Sequence, residues 1–268
     1  MSWFEALAIL VAGVGAGTIN TIVGSGTLIT FPTLLFFGYP PLAANISNNV
    51  GLVAGGATGS WAYRHEMRGG GGTIRTLLPL SLAGSVVGAS LLLVLPQKVF
   101  AAVVPVLILA SIVLVLSGPR LQARAAARAS ARAGAGAVSA GEPEGMPLRT
   151  SPALLLGVFA AGIYGGYFGA AQGVLLMGIF SALTTEGLQR LNGYKNVLST
   201  GVNFVAAVFF LVFARAQVSW AAAGLIAVGA ILGGLLGARI GRSLRPAVLR
   251  GVIVTVGVAA VLRMVLAS

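Results

Sequence analysis

A chain of 268 residues that is 57% hydrophobic and only 8% charged lies far below the roughly 25% charged residues of a soluble domain. Composition therefore predicts an all-α integral membrane protein. The 39 glycines suit closely packed membrane helices, and 17 Lys and Arg against five acidic residues, all Glu, give a net charge of +12. That excess does not read as nucleic-acid binding, because no aromatics interleave with the arginines, most of which flank apolar spans. Topology and anionic lipid account for it better. With one His and neither Cys nor Asp, three convergent metal ligands cannot be assembled, and no cofactor is expected. Without cysteine there is no disulfide and no reading of the redox compartment. The start, MSWFEALAILVAG, has Glu5 where a signal peptide would be basic, so it is expected to be retained.

Residues 3–23 make a first apolar span, and 27–38 a second that ends at Gly38-Tyr39-Pro40-Pro41. Further spans follow at 45–63, 74–95 and 98–117. The third is closed by the cluster Arg64-His65-Glu66-Met67-Arg68, which is read as a solvated loop with a gate or pH sensor as the sharper alternative. After residue 150 the pattern restarts, at 153–171, 173–184, 192–214, 219–238 and 246–266. About 20 apolar residues cross a bilayer core, so the second span of each set is too short unless it is a half-helix or re-entrant. The expected division is a first membrane repeat (1–118), an Arg/Ala-rich cytoplasmic linker (119–150) and a second repeat (151–268). In the linker Arg120, Arg124, Arg128 and Arg132 recur every four residues. They form either a strip for anionic lipid headgroups or a solvated segment that fixes topology.

Basic residues distinguish parallel from inverted repeats. In the first half they fall between the third and fourth spans (Arg64, Arg68, Arg75), and in the second between the fourth and fifth (Arg239, Arg242, Arg245, Arg250). If basic loops face the cytoplasm, the halves are inverted, the second segment of each is short or broken, and both termini lie outside. Inverted repeats with broken helices are a transporter architecture.

Glycine breaks the first apolar stretch at Gly24-Ser25-Gly26, where an uninterrupted helix would lose about 1 kcal/mol per glycine against alanine. Freed backbone at membrane depth survives only where it lines a cavity or is buried in protein. Helix starts after this break and after Gln172-Gly173 would present unpaired N–H groups and partial positive charge to an anion. Ser25, Thr27 and Gln172 could add side-chain donors. Lys195, beside Tyr194, either compensates an anionic guest or snorkels to the interface. The amides of Asn20, Asn48, Asn49 and Asn196 either line a polar pocket or join helices by hydrogen bonds; Asn203 is read as a helix-joining residue. Glu186 and Arg190 are expected to form a loop ion pair. Ser25 has no His or carboxylate nearby in sequence to activate it, and no phosphate-loop or dinucleotide fingerprint appears, so no enzyme is expected.

The same residues carry a resemblance. Ala16 to Leu28, then Pro32, Gly38-Tyr-Pro-Pro41 and Ala44-Asn-Ile-Ser-Asn-Asn49, with Gly162-Ile-Tyr-Gly-Gly-Tyr-Phe-Gly-Ala-Ala-Gln-Gly173 in the second half, resemble the motifs of the sulfite exporter TauE/SafE family. The resemblance covers nearly the whole chain outside 119–150. It implies a multi-pass bacterial inner-membrane permease for small anions, often sulfite or sulfonates such as sulfoacetate. Three departures bear on proton coupling and substrate choice. Asn20 stands where some members have Asp, Ala171 replaces a glycine, and Asn49 stands where lysine is common. The expected substrate-binding set is therefore Asn20, Gly24, Ser25, Gly26, Thr27, Asn48, Asn49, Gln172, Gly173, Tyr194, Lys195 and Asn196. An anion channel and a non-transporting scaffold remain as alternatives, and a homo-oligomer is compatible with the sequence.

Overall fold

The computed structural model describes residues 1–135, 151–184, 186–240 and 246–266. The linker beyond residue 135, and Arg242 and Arg245, lie outside them. The described residues are helical: α1 (Trp3–Ile22), α2 (Thr27–Phe36), α3 (Pro41–Ala62), α4 (Gly71–Val94), α5 (Gln97–Ala135), α6 (Pro152–Tyr167), α7 (Gln172–Leu183), α8 (Leu188–Phe213), α9 (Trp220–Ile240) and α10 (Pro246–Leu266). Helices α1, α4, α8, α9 and the Gln97–Arg120 part of α5 are long and apolar enough to cross a bilayer. Their outward faces carry Leu91, Val106, Val113, Phe204 and Val212, all exposed. A surface so apolar belongs in lipid.

The two short helices are return arms. Helix α2 runs back along α1, with Ile29 against Gly15 and Gly26 against Ala16. At the far end Phe37 meets Phe4 edge-on at 6.1 Å, and the Tyr39 hydroxyl donates to Glu5 Oε1 at 2.8 Å. Helix α7 does the same along α6, with Ile179 against Gly157 and Gln172 against Gly165. At 10 and 12 residues the return arms are about 15 and 18 Å long, roughly half of a ~30 Å hydrocarbon core. Ser2 caps the start of α1, accepting from the Glu5 amide at 3.1 Å. Ser151 caps α6, accepting from the Leu154 amide at 3.2 Å, so both hairpins begin with a hydroxyl on an orphan N–H.

Small residues set the helix pairs. Gly13 and Gly17 of α1 meet Gly229 and Ala230 of α9, and a methyl on Gly17 would come within 2.3 Å of the Ala230 carbonyl oxygen. Gly84 and Gly88 of α4 meet Phe159 and Ile163 of α6 in the same manner. These seams let backbones approach where lipid offers no hydrophobic drive between helices. Their register shows α1, α3 and α9 running one way and α4, α6 and α8 another. Increasing numbers in α1 meet increasing numbers in α9, whereas α3 meets α8 in reverse, with Gly56 at Thr200 and Tyr63 at Gly193. Exchanging the halves (α1 with α6, α3 with α8, α9 with α4) maps the α1–α9 seam onto α6–α4 and the α5–α7 contact onto α10–α2.

The structure shifts several expected boundaries. Helix α6 ends at Tyr167, and Phe168–Ala171 form the break. Helix α8 starts at Leu188 and α3 at Pro41, each four residues early. Helix α5 passes Pro119 and runs to Ala135. Glu186 and Arg190 do pair, at 3.1 Å.

At the break between α1 and α2, Gly24 has φ +84°, and a methyl on it would lie 2.4 Å from Gly173 Cα. Gly24→Ala is expected to destabilise the protein by more than about 2 kcal/mol, since a left-handed alanine alone costs about 1–2 kcal/mol. Gly173→Ala is expected to destabilise it as well, because its methyl would lie 2.5 Å from Gly24 Cα. Gly178→Ala, where a methyl meets nothing within 4 Å, should be neutral or stabilising by up to about 1 kcal/mol. Thermal unfolding in detergent checks the contrast. Ala171 sits at φ +61°. Ala171→Gly relieves that conformation but loses a buried methyl worth about 0.8 kcal/mol, so it should shift stability little, while β-branched Ala171→Val should lower the Tm sharply.

Candidate functional site

The two hairpin tips are built alike. In the first, the amides of Val23 and Gly24 both donate to the Ile19 carbonyl, at 2.7 and 3.1 Å; in the second, those of Phe168 and Gly169 both donate to Tyr164, at 2.9 and 3.0 Å. Gly24 and Gly169 take left-handed φ values of +84° and +75°, the ordinary glycine exit from a helix. Each return arm starts three residues later, at Thr27 and at Gln172. The tips then touch through backbone, the Gly173 N–H donating to the Gly24 carbonyl at 3.0 Å.

Helices α3 and α8 brace the tips from opposite halves. Asn45 Nδ2 donates to the Tyr167 carbonyl at the end of α6, at 3.1 Å. Lys195 Nζ donates to the carbonyls of Thr21 (3.2 Å) and Ile22 (3.4 Å) at the end of α1, and Asn196 Nδ2 joins it at Thr21, at 3.4 Å. A cation at a helix C-terminus is favourably placed. Lys195 is 0% exposed, and its Cδ packs on Gly173, so it does not snorkel in this conformation. The carboxylates among the described residues lie at helix ends: Glu5 bonds Tyr39, Glu186 pairs with Arg190, and Glu66 is in the α3–α4 turn.

Several expected site residues converge on this crossing. Gly24, Ser25, Gly26 and Gly173 are at the tips, and Ser25 Oγ is buried without a partner. Gln172, 2% exposed, packs its amide on Gly165 and leaves Nε2 unpaired. Asn20 is half-buried on α1, its Cβ beside Gly26. Asn49 is buried with Oδ1 unpaired. Two others are committed elsewhere: Asn48 donates to Thr27 Oγ1 at 3.2 Å and accepts from the Thr30 hydroxyl, which ties α3 to the start of α2. Tyr194 points away, buried among Leu77, Leu154 and Val158 with its hydroxyl against Gly70.

Ser199, not singled out from the sequence, is buried with Oγ unpaired. It lies one helical turn from Lys195, and Asn203 a further turn on, beside Gly169. The signal was the spacing 195, 199, 203, a polar stripe on one face of an apolar helix. Ser111 was also missed. It bonds Tyr164 at 2.8 Å and the Ala170 carbonyl at 3.2 Å, pinning the second tip to α5. Of the proposed lipid strip, Arg120 is exposed, and the side chains of Arg124, Arg128 and Arg132 lie outside the described residues.

Among the described residues, no group of His, Cys, Asp or Glu could hold a metal. The arrangement offers instead one buried ammonium, neutral donors and helix starts in a glycine-lined crossing, which can bind and release a small polar solute.

Comparison with known proteins identifies a family of membrane transporters. The family described as sulfite exporter TauE/SafE matches residues 9–264. A probable membrane transporter protein, ORF9, of a Sinorhizobium species is 30% identical over 97% of this chain and 93% of its own length. A probable membrane transporter protein of Haemophilus influenzae is 27% identical over 88% of the chain and 85% of its own length. The probable membrane transporter protein YfcA of Escherichia coli is 24% identical over 90% of the chain and 82% of its own length. No solved structure matches. With a family match that runs almost from end to end, the chain belongs to the sulfite exporter TauE/SafE family of membrane transporters.

Proposed function

We propose that this protein exports small sulfur-containing anions, sulfite or sulfonates, across the bacterial inner membrane by alternating access between two inverted five-helix repeats. It performs no covalent chemistry on its cargo. The observation that carries the reading is Lys195, an ammonium with no exposure held by two carbonyl oxygens at the end of α1 and packed against Gly173 of the second tip. An ionisable group so placed in a membrane segment defaults to function, and its sign selects an anion. Neutral donors at Ser25 and Gln172, each buried and unpaired, complete a site for an oxyanion.

The helix directions support the inverted arrangement and its orientation. Arg64, Arg68, Arg75, Arg120, Arg190 and Arg239 gather at the end where α4, α6 and α8 begin, while Lys98 and Arg215 lie at the other. The positive-inside tendency puts the first end in the cytoplasm and both termini outside. The hairpins α1–α2 and α6–α7 are then re-entrant from opposite sides, and their tips form the barrier that each side reaches in turn.

In proteoliposomes, labelled sulfite or methanesulfonate should show saturable flux. Lys195→Met should reduce it at least tenfold, with partial retention in Lys195→Arg. Ser25→Ala, which removes a hydroxyl bond to a charged guest worth about 1.5–3 kcal/mol, should raise KM about tenfold or more. Flux of cations only, or unaltered anion flux in Lys195→Met, overturns the reading, and resolvable unitary currents would indicate a channel.

A further inference from the structure

We infer that the crossing takes a singly charged anion and discriminates against dianions, so that hydrogen sulfite and simple alkanesulfonates are carried in preference to sulfate or sulfoacetate. This rests on the crossing being the transport site. The ground is the charge that the crossing can balance. Lys195, when protonated, supplies one positive charge at 0% exposure. The unpaired groups around it are neutral: Ser25 Oγ, Gln172 Nε2 and Ser199 Oγ.

Position 195 is the eighth residue of α8, and its counterpart, the eighth residue of α3, is Asn48. That residue is an amide already joined to Thr27 and Thr30. Its neighbour Asn49, counterpart of Asn196, is also neutral and buried, with its Oδ1 unpaired. The pseudo-symmetry that could have supplied two cations therefore supplies one. A monoanion leaves the occupied crossing neutral. A dianion leaves one uncompensated negative charge out of water, which is strongly disfavoured. Neutral donors reduce that cost without removing it.

The test uses purified protein in proteoliposomes, with labelled methanesulfonate as the transported probe. The competitors are matched pairs that differ by one charge at similar size: methyl sulfate against sulfate, and the methyl ester of sulfoacetate against sulfoacetate. The expected result is at least tenfold stronger competition by the monoanion of each pair. Asn49→Lys, which adds a second ammonium, should narrow or reverse the ratio for sulfoacetate. The wild-type pairs decide the matter even if that variant does not fold. Equal or stronger competition by the dianions overturns the inference while leaving anion transport intact. Absence of flux for every anion removes the transport reading and this inference with it.

Discussion

The contact between Gly24 and Gly173 is the constraint on which the rest of the molecule depends. Two hairpins that touch tip to tip must meet with their backbones exposed to each other, because any side chain between them would separate them. With the Gly173 amide on the Gly24 carbonyl at 3.0 Å, each break satisfies part of the other's freed backbone, as membrane depth requires. The surrounding helices act as buttresses. The α1–α9 and α4–α6 seams fix the long arm of each hairpin through glycine, and α3 and α8 cross between them and reach over to the opposite tip.

Within this near-symmetric frame the tips are held differently. The second is pinned: Tyr164 and Ser111 both bond the Ala170 carbonyl, so α5 and α6 hold the turn from behind. The corresponding residue of the first tip is Ser25, whose hydroxyl is buried and unpaired. What holds the first tip is Asn48, which anchors the return arm, and Lys195, which holds the end of α1. An ammonium engaged only by carbonyls can exchange them for an anion without leaving a carboxylate behind. The first tip is thus the one whose restraint rests on an ammonium and an amide, where the second rests on hydroxyls bonded to its own turn.

The sequence made some of this legible and hid the rest for identifiable reasons. Gly24-Ser25-Gly26 announced the first break because glycine has no place in a helix interior. The second break was placed too late, because Phe168, Ala170 and Ala171 are as apolar as any helix and nothing in composition says that Ala171 is left-handed. The short spans were visible, but hydropathy has no direction, so the return of α2 along α1 emerged only from contacts such as Ile29 on Gly15. By hydropathy the fifth span ends at residue 117, where apolar residues give way to arginine and alanine, yet that alanine-rich stretch has the helix propensity to continue. Adjacency in sequence misled at Tyr194. A residue next to Lys195 is about 100° away around the helix and faces a different cluster. Thr27 and Asn48 were recognisable as polar residues near the break, but only coordinates show that they bond each other.

Helix dipoles alone would not account for the proposed preference for anions. The start of a helix carries roughly +0.5 charge and its end roughly −0.5, and each tip brings one of each: α1 ends where α2 begins, and α6 ends where α7 begins. The four termini therefore sum to about zero, and the Gly173 amide, one of the donors that would face a guest, is already taken by Gly24. Asn45, on the Tyr167 carbonyl, adds a dipole and no net charge. Lys195 breaks the balance. By standing on the end of α1 it covers one negative terminus and leaves the positive starts of α2 and α7 in excess, which is the sign the proposed function requires. Without it the same glycine-lined crossing would be a neutral polar gap with no electrostatic reason to prefer an anion over water.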